Sequence, residues 1–220
     1  MRILILGATG RTGKYILQQA LQRGHYVHVL VRDRQKIKTT HERLIVFEGT
    51  PADSDALSNA MRSCDAVISA LNISRHTDWP WSALRTPRDF LSTVMRLIID
   101  RMQVLGISRL IFTSAWGVAE TKKDVPAWFR WFIDHSNVKY PYLDHAKQEG
   151  LVRQSSLAWT GVRAAGLTNS RKKRPVIVSF NNSPAPRLTI SRSNLACFML
   201  DVLEKNLHVR QLPVVSTKGF

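Results

Sequence analysis

At 220 residues the chain is long enough for one domain with a substantial core and short for two, so a single domain over 1–220 is expected. No apolar stretch approaches the length of a membrane span and no basic-apolar-small leader precedes the first strand-like run at Arg2, which sets the expectation of a cytoplasmic, non-membrane protein. Against 16 Asp and Glu stand 32 Lys and Arg, and a net charge of +16 favours anionic partners: nucleic acid, a membrane surface or a phosphorylated cofactor.

The chain opens on ILILGATGRTGKYILQQALQRGHYVHVLV. This reads as a strand at Ile3–Leu6, a glycine turn, a helix over Gly13–Arg23 and a second strand at Val27–Val31. Gly7, Gly10 and Gly13 stand where a tight turn, a close backbone approach to a pyrophosphate and close helix–strand packing each require a missing side chain. The helix N-terminus behind them offers free N–H groups to an anion, so the turn is expected to hold a dinucleotide. At the end of the second strand, where an NAD enzyme tends to carry an acid for the ribose 2′-hydroxyl, the chain runs into Arg32, Asp33, Arg34, Gln35 and Lys36. Arg32 with Arg34 or Lys36 suits a 2′-phosphate and hence NADP(H), although Asp33 is free in sequence terms to turn inward.

Further along, strand-like runs at Leu44–Phe47, Ala66–Leu71, Leu110–Thr113, Trp159–Val162 and Leu212–Val215 alternate with helical periods at Asp55–Arg62, Pro87–Leu105, Asp144–Gln154 and Ser193–Lys205. Parallel neighbours need crossover connections, so this alternation predicts an α/β, Rossmann-like doubly wound parallel sheet with helices on both faces. In such a fold ligands bind outside the carboxyl ends of the strands, and the substrate side is expected from the connections 72–88, 115–143 and 165–190. Five of the six tryptophans fall in the connections after the fourth and fifth strands. They are Trp79, Trp81, Trp116, Trp128 and Trp131, and they suggest a mouth for a small planar aromatic substrate. Two other readings apply to VPAWFRWFIDH. A short helix, Ala127–His135, would bury Trp128, Phe129 and Phe132. Membrane contact by the aromatic-basic mixture is opposed by the brevity of the segment and by Asp124 and Asp134.

Ser114, at the end of the fifth strand, has a hydroxyl placed to donate to a substrate carbonyl or a cofactor amide, while Thr113 and Ser114 serve equally to satisfy backbone at a strand end. His145 precedes Glu149 by four residues, which on a helix places them on one face and lets the carboxylate orient the imidazole for proton donation; a structural surface pair fits the same spacing. No third ligand is spaced to make this pair a metal site, and the other histidines have no comparable company. Cys64 and Cys197 show no metal or redox spacing and read as small buried thiols. The run RKKR at 171–174 reads as a solvated loop, with no base-reading helix or stacking motif to support sequence-specific nucleic-acid binding.

The blocks GATGRTG, LVRD, CDAVISAL, GISRLIFTSA, DHAKQEGLVRQSSLAWTGVRAAGLTN and ISRSNLACFML run in an order and spacing that resembles the atypical short-chain dehydrogenase/reductases of the NAD(P)H-binding, NmrA-like group, over nearly the full length. The group includes flavin reductase/biliverdin IXβ reductase. The resemblance implies NADP(H) contacts along Thr9, Gly10, Arg11 and Thr12, at Arg32 and at Leu71 and Asn72, with Ser114, Trp116, His145 and Ala165 around the nicotinamide. Three departures stand out. Where the group often has Gly-Asp for the adenine there is Gly49-Thr50, which leaves Thr50 at that contact. The common Arg-Pro is Arg163-Ala164, and no Tyr-x-x-x-Lys occurs. Tyr142 precedes Lys147 by five residues. At about 100° per residue a four-residue offset leaves side chains about 40° apart on a helix and a five-residue offset about 140°. The expected function is an NADP(H)-dependent reductase of planar conjugated acceptors, monomeric or homodimeric, in which solvent can finish the protonation. The alternative is a non-catalytic NADP(H)-sensing or protein-binding module.

Overall fold

The structure, a computed structural model, describes residues 1–170 and 172–218; Arg171 of the RKKR run lies outside the described residues. In chain order the elements are β1 (Arg2–Leu6), α1 (Gly13–Gln22), β2 (Tyr26–Val31), β3 (Leu44–Glu48), α2 (Ser54–Met61), β4 (Ala66–Ser69), α3 (Phe90–Val104), β5 (Arg109–Ala115), α4 (Ala127–Asp134), α5 (Lys139–Gln154), β6 (Ala158–Ala164), β7 (Gly166–Thr168), β8 (Val176–Ser179), β9 (Thr189–Ser191), α6 (Arg192–Glu204) and β10 (Val214–Thr217). Eight strands form one sheet in the order β3-β2-β1-β4-β5-β6-β10-β8, parallel except for β8, and β7 and β9 form a small parallel pair. This is the Rossmann-like doubly wound sheet that the alternation predicts, extended past β6 by two strands.

Alternation along the strands divides the core. Ile3 and Ile5 of β1 join Ile16 and Leu17 of α1 and Leu195 and Met199 of α6 on one face. On the other, Leu4 and Leu6 meet Leu57 and Met61 of α2, Val94 and Ile98 of α3 and Val152 of α5. The strand order reverses between β1 and β4, and the turns leaving their carboxyl ends open the crevice that a doubly wound sheet offers a ligand.

Several boundaries differ from expectation. The fourth strand ends at Ser69, so Leu71 and Asn72 already belong to the connection. α5 begins at Lys139 rather than Asp144, because Pro141 falls in its first turn, where a proline costs no helical hydrogen bond. The stretch 165–190, expected as a connection, carries β7, β8 and the start of β9. Cys197 is exposed, not buried, with Arg23 Nη2 3.1 Å from its sulfur. His25 also has company: its Nε2 lies 2.7 Å from Glu204, which Arg23 contacts at 2.8 Å, tying α1 to α6.

Candidate functional site

The glycine turn is built as its spacing requires. Gly7 has φ +82°, open to a residue without a side chain, and a Cβ there would meet the Ala70 carbonyl oxygen at 2.8 Å, across the reversal point of the sheet. A Cβ on Gly13 would lie 2.0 Å from the Gly7 carbonyl oxygen. Behind this turn the backbone N–H groups of Arg11 and Thr12 have no hydrogen-bond partner among the described residues, at the entrance to α1. Unfilled donors at a helix N-terminus, over a cradle that any side chain would block, fit a pyrophosphate. Thr9 and Gly10 are exposed beside them, and Arg11 reaches Asp78 of the 72–88 connection at 3.0 Å.

At the end of β2, Arg32 and Arg34 are exposed and make no ion pair among the described residues. Asp33 is turned to its own loop, accepting the Gln35 N–H at 2.9 Å and lying 3.6 Å from Lys36 Nζ. Thr50 is half-buried and its Oγ1 accepts weakly from the Ala52 N–H at 3.4 Å. The next acid, Asp53, is occupied as the N-cap of α2. Asn72 folds its own side chain back to accept the Ile73 N–H at 2.8 Å.

At the carboxyl end of β5 the structure brings Ser114 to a group the spacing did not suggest. Ser114 Oγ donates to Glu149 Oε1 at 2.7 Å. Arg163, opposite Ser114 in the β5–β6 register, grips the same carboxylate at 2.9 and 2.7 Å. Its remaining Nη1 reaches Glu120 at 2.8 Å. Arg163 and Glu149 side chains are each 2% exposed. Burial works against the Arg163 charge, but the hydrogen bonds it donates to Glu149 and Glu120 outweigh it and hold the guanidinium's pKa above its ordinary value. An arginine in the middle of the apolar strand WTGVRAA was the available signal, since a buried guanidinium must find carboxylates.

The expected His145–Glu149 pair is corrected by this arrangement. Both Glu149 oxygens serve Arg163 and Ser114, and His145, buried one helical turn away, instead has Gln148 Nε2 3.4 Å from its Nδ1. Burial pushes the His145 pKa down to about 4, so the ring is neutral. Tyr142 directs its hydroxyl towards the Trp116 carbonyl at 3.4 Å and burial raises its pKa; Lys147 is exposed.

A pH dependence follows with a definite sign. His145, and His28 buried beside Ala60 and Cys64, have pKa values lowered by burial from an unfolded value near 6.5. His145 is neutral in the fold, so its stabilisation is complete above pH 6.5 and is lost as pH falls towards 4, by about 2 kcal/mol at pH 5, and His28 contributes in the same direction. Urea midpoints should decline over that window, and His145→Gln should flatten the decline.

The tryptophans divide. Trp116 is 6% exposed and joins Ala165 and Ala164 in the core, with no partner for its indole N–H among the described residues. It presents no free face to a substrate. Trp79, Trp81, Trp128 and Trp131 are 64, 46, 63 and 59% exposed, and α4 turns Ile133 inward and Trp128 outward, unlike the expected burial of that ring. A cavity of about 410 Å3 lies between Ala83–Arg88 and Asn137 with Tyr140, where the Arg88 guanidinium stands 4.2 Å over the Tyr140 ring. Among the described residues no group of three His, Cys, Asp or Glu is placed to hold a metal, and no helix is long and apolar enough to cross a membrane.

A family model described as NAD(P)H-binding matches residues 7–206. Oxidoreductase stcQ of Emericella nidulans is 28% identical over 228 aligned residues, covering 96% of this chain and 81% of that protein. Two other curated relatives are longer, and the chain spans about half of each, 48% and 51%. Among solved structures, a short-chain dehydrogenase/reductase from Veillonella parvula in complex with NADP is similar with a TM-score of 0.81 at 19% identity, over 99% of this chain and 95% of that one. ChuY, an anaerobillin reductase from Escherichia coli O157:H7, has a TM-score of 0.81 at 17% identity, over 100% and 98%. At these identities the structural likeness is one of fold.

Proposed function

The chain belongs to the NAD(P)H-binding family, and from that premise we propose that it is an oxidoreductase that passes hydride from NADP(H) to a planar conjugated acceptor of the flavin, quinone or tetrapyrrole kind. The nicotinamide supplies the hydride when bound. The Arg11 and Thr12 N–H groups would hold the pyrophosphate, and Arg32 and Arg34 the 2′-phosphate, since Asp33 is engaged with its own loop. The substrate side is assigned to the segments 72–88, 115–143 and 165–190.

One observation carries the choice of acceptor: the proton donors that the sequence offers are turned elsewhere or uncharged. Tyr142 is turned to a backbone carbonyl with a raised pKa, Lys147 is exposed, and His145 is a neutral imidazole. An aliphatic ketone becomes an alkoxide that needs an acid, whereas a conjugated ring spreads the new charge and takes its proton from solvent. That stcQ is an oxidoreductase and ChuY an anaerobillin reductase supports hydride transfer and a tetrapyrrole-like acceptor. A second reading, an NADP(H)-sensing or protein-binding module, draws on the commitment of the Ser114 hydroxyl to buried Glu149, which withholds it from a substrate.

NADPH oxidation against flavins, quinones, linear tetrapyrroles and aliphatic ketones tests the reading. Turnover is expected with the conjugated acceptors alone, and NADPH should be preferred to NADH. Arg32→Ala should cut that preference roughly tenfold or more, the worth of one charge-assisted hydrogen bond. Preference for an aliphatic ketone would overturn the acceptor assignment, and no turnover at all would favour the sensing module.

A further inference from the structure

We propose that the exposed aromatic face formed by α4 and the 72–88 connection docks on an anionic lipid bilayer. This does not depend on the acceptor assigned above. A surface helix ordinarily turns polar side chains to water. α4 instead carries large apolar side chains on both sides: Trp128 and Trp131 point out at 63 and 59% exposure, while Ile133 is buried and Phe129 and Phe132 are half-buried.

The face extends past the helix. Trp81 packs edge-on to Phe132 at 6.3 Å and donates its indole N–H to the His135 carbonyl at 2.7 Å, and Trp79 lies 5.2 Å from Trp81. Asn137 also fastens the loop, its side-chain amide donating to the Trp81 carbonyl at 2.8 Å and its backbone N–H to the Pro80 carbonyl at 3.0 Å. Four outward tryptophans are therefore held by two connections locked to each other, as a rigid surface.

Charge selects the partner. The connections 72–88 and 115–143 carry seven Lys and Arg against four Asp and Glu, on a chain of net charge +16. The four acids, of which Asp124 and Asp134 oppose membrane contact in the sequence, are occupied or turned away. Asp78 pairs with Arg11 at 3.0 Å, Asp134 with Lys122 at 2.6 Å and Glu120 with Arg163 at 2.8 Å, while Asp124 lines a separate cavity of about 440 Å3 on the flank towards Ser179. Aromatic rings seated at the headgroup level, with basic residues around them and the acids neutralised, suit a negatively charged bilayer surface.

Co-sedimentation of the full chain with vesicles of phosphatidylcholine alone and of phosphatidylcholine with one-third phosphatidylglycerol tests this. Binding should require the anionic lipid and weaken with salt. The double variant Trp128→Ala/Trp131→Ala should bind roughly tenfold or more weakly, because it loses ring surface that the bilayer would bury. Brominated acyl chains should quench the tryptophan emission of the unaltered chain, a readout that no variant's folding can compromise. Three outcomes would overturn the proposal. The vesicles could fail to bind; the double variant could bind as the parent does without quenching, which is adsorption by net charge alone; or sedimentation could show a parent dimer that the double variant dissolves, which makes the face a contact between copies.

Discussion

Arg163→Leu should destabilise the fold by about 3–5 kcal/mol, the usual cost of leaving a buried carboxylate without its partner. The reason is local. The leucine takes away both bonds to Glu149 at 2.9 and 2.7 Å and leaves that 2%-exposed carboxylate with the Ser114 hydroxyl alone. Glu120 loses a bond too, but its side chain is 59% exposed and water replaces the guanidinium. Since folded domains are stable by only about 5–15 kcal/mol, the urea midpoint should fall steeply. The double replacement Arg163→Met/Glu149→Leu should recover most of the loss, because a buried ion pair exchanged for apolar side chains of similar volume is often close to neutral. A single variant as stable as the parent, or a double variant no better than the single one, would show that the pair does not hold β6 to α5.

Gly13→Ala should damage both folding and cofactor binding. Its methyl group would stand 2.0 Å from the Gly7 carbonyl oxygen and 2.9 Å from the Ala8 Cα, and both obstacles are backbone, with no flexible side chain to move aside. The turn must open to admit it. An over-packed site of this kind costs about 1–3 kcal/mol, and a displacement near 1 Å of groups that position a ligand can cost roughly a hundredfold. Fluorescence titration should therefore show NADPH affinity lowered by about that factor, with a reduced melting temperature. Gly150→Ala is the matched control, since nothing lies within 4 Å of a Cβ there and the glycine is inside α5. That variant should gain roughly 0.5–1 kcal/mol and bind as the parent does.

These two expectations differ in how far the sequence alone could reach them. The glycine turn was legible because its chemistry is contiguous: strand, turn and helix follow one another and the three glycines carry a local geometric demand. The doubly wound parallel fold class was legible for a similar reason, since apolar runs alternating with helical periods leave little else to build. Ser114, Glu149 and Arg163 come from three different elements and Glu120 from the connection after β5, and they meet only through the β5–β6 register and the packing of α5 on the sheet. Helical spacing therefore paired Glu149 with the nearer His145, whereas the buried guanidinium was the stronger claim on it. β7 and β9 are three residues each and pair with each other across more than twenty residues, so neither carries enough alternation to be recognised alone. The outward tryptophans were visible as composition but not as orientation, because an eight-residue helix has too few turns to say which side faces in.

The antiparallel strand β8 closes one side of the eight-stranded sheet, and its outer backbone groups are of the kind that recruit a strand from another molecule. It is four residues long. Lys172, Lys173 and Arg174 precede it, Arg174 reaches the Lys218 carbonyl at 3.2 Å beside the end of β10, and Arg187 follows on the chain's return to β9. A second molecule approaching that margin would bring its own copy of the same positive charges. Several basic residues of the last fifty thus stand beside the outermost strand, the kind of edge at which sheet proteins commonly carry charge.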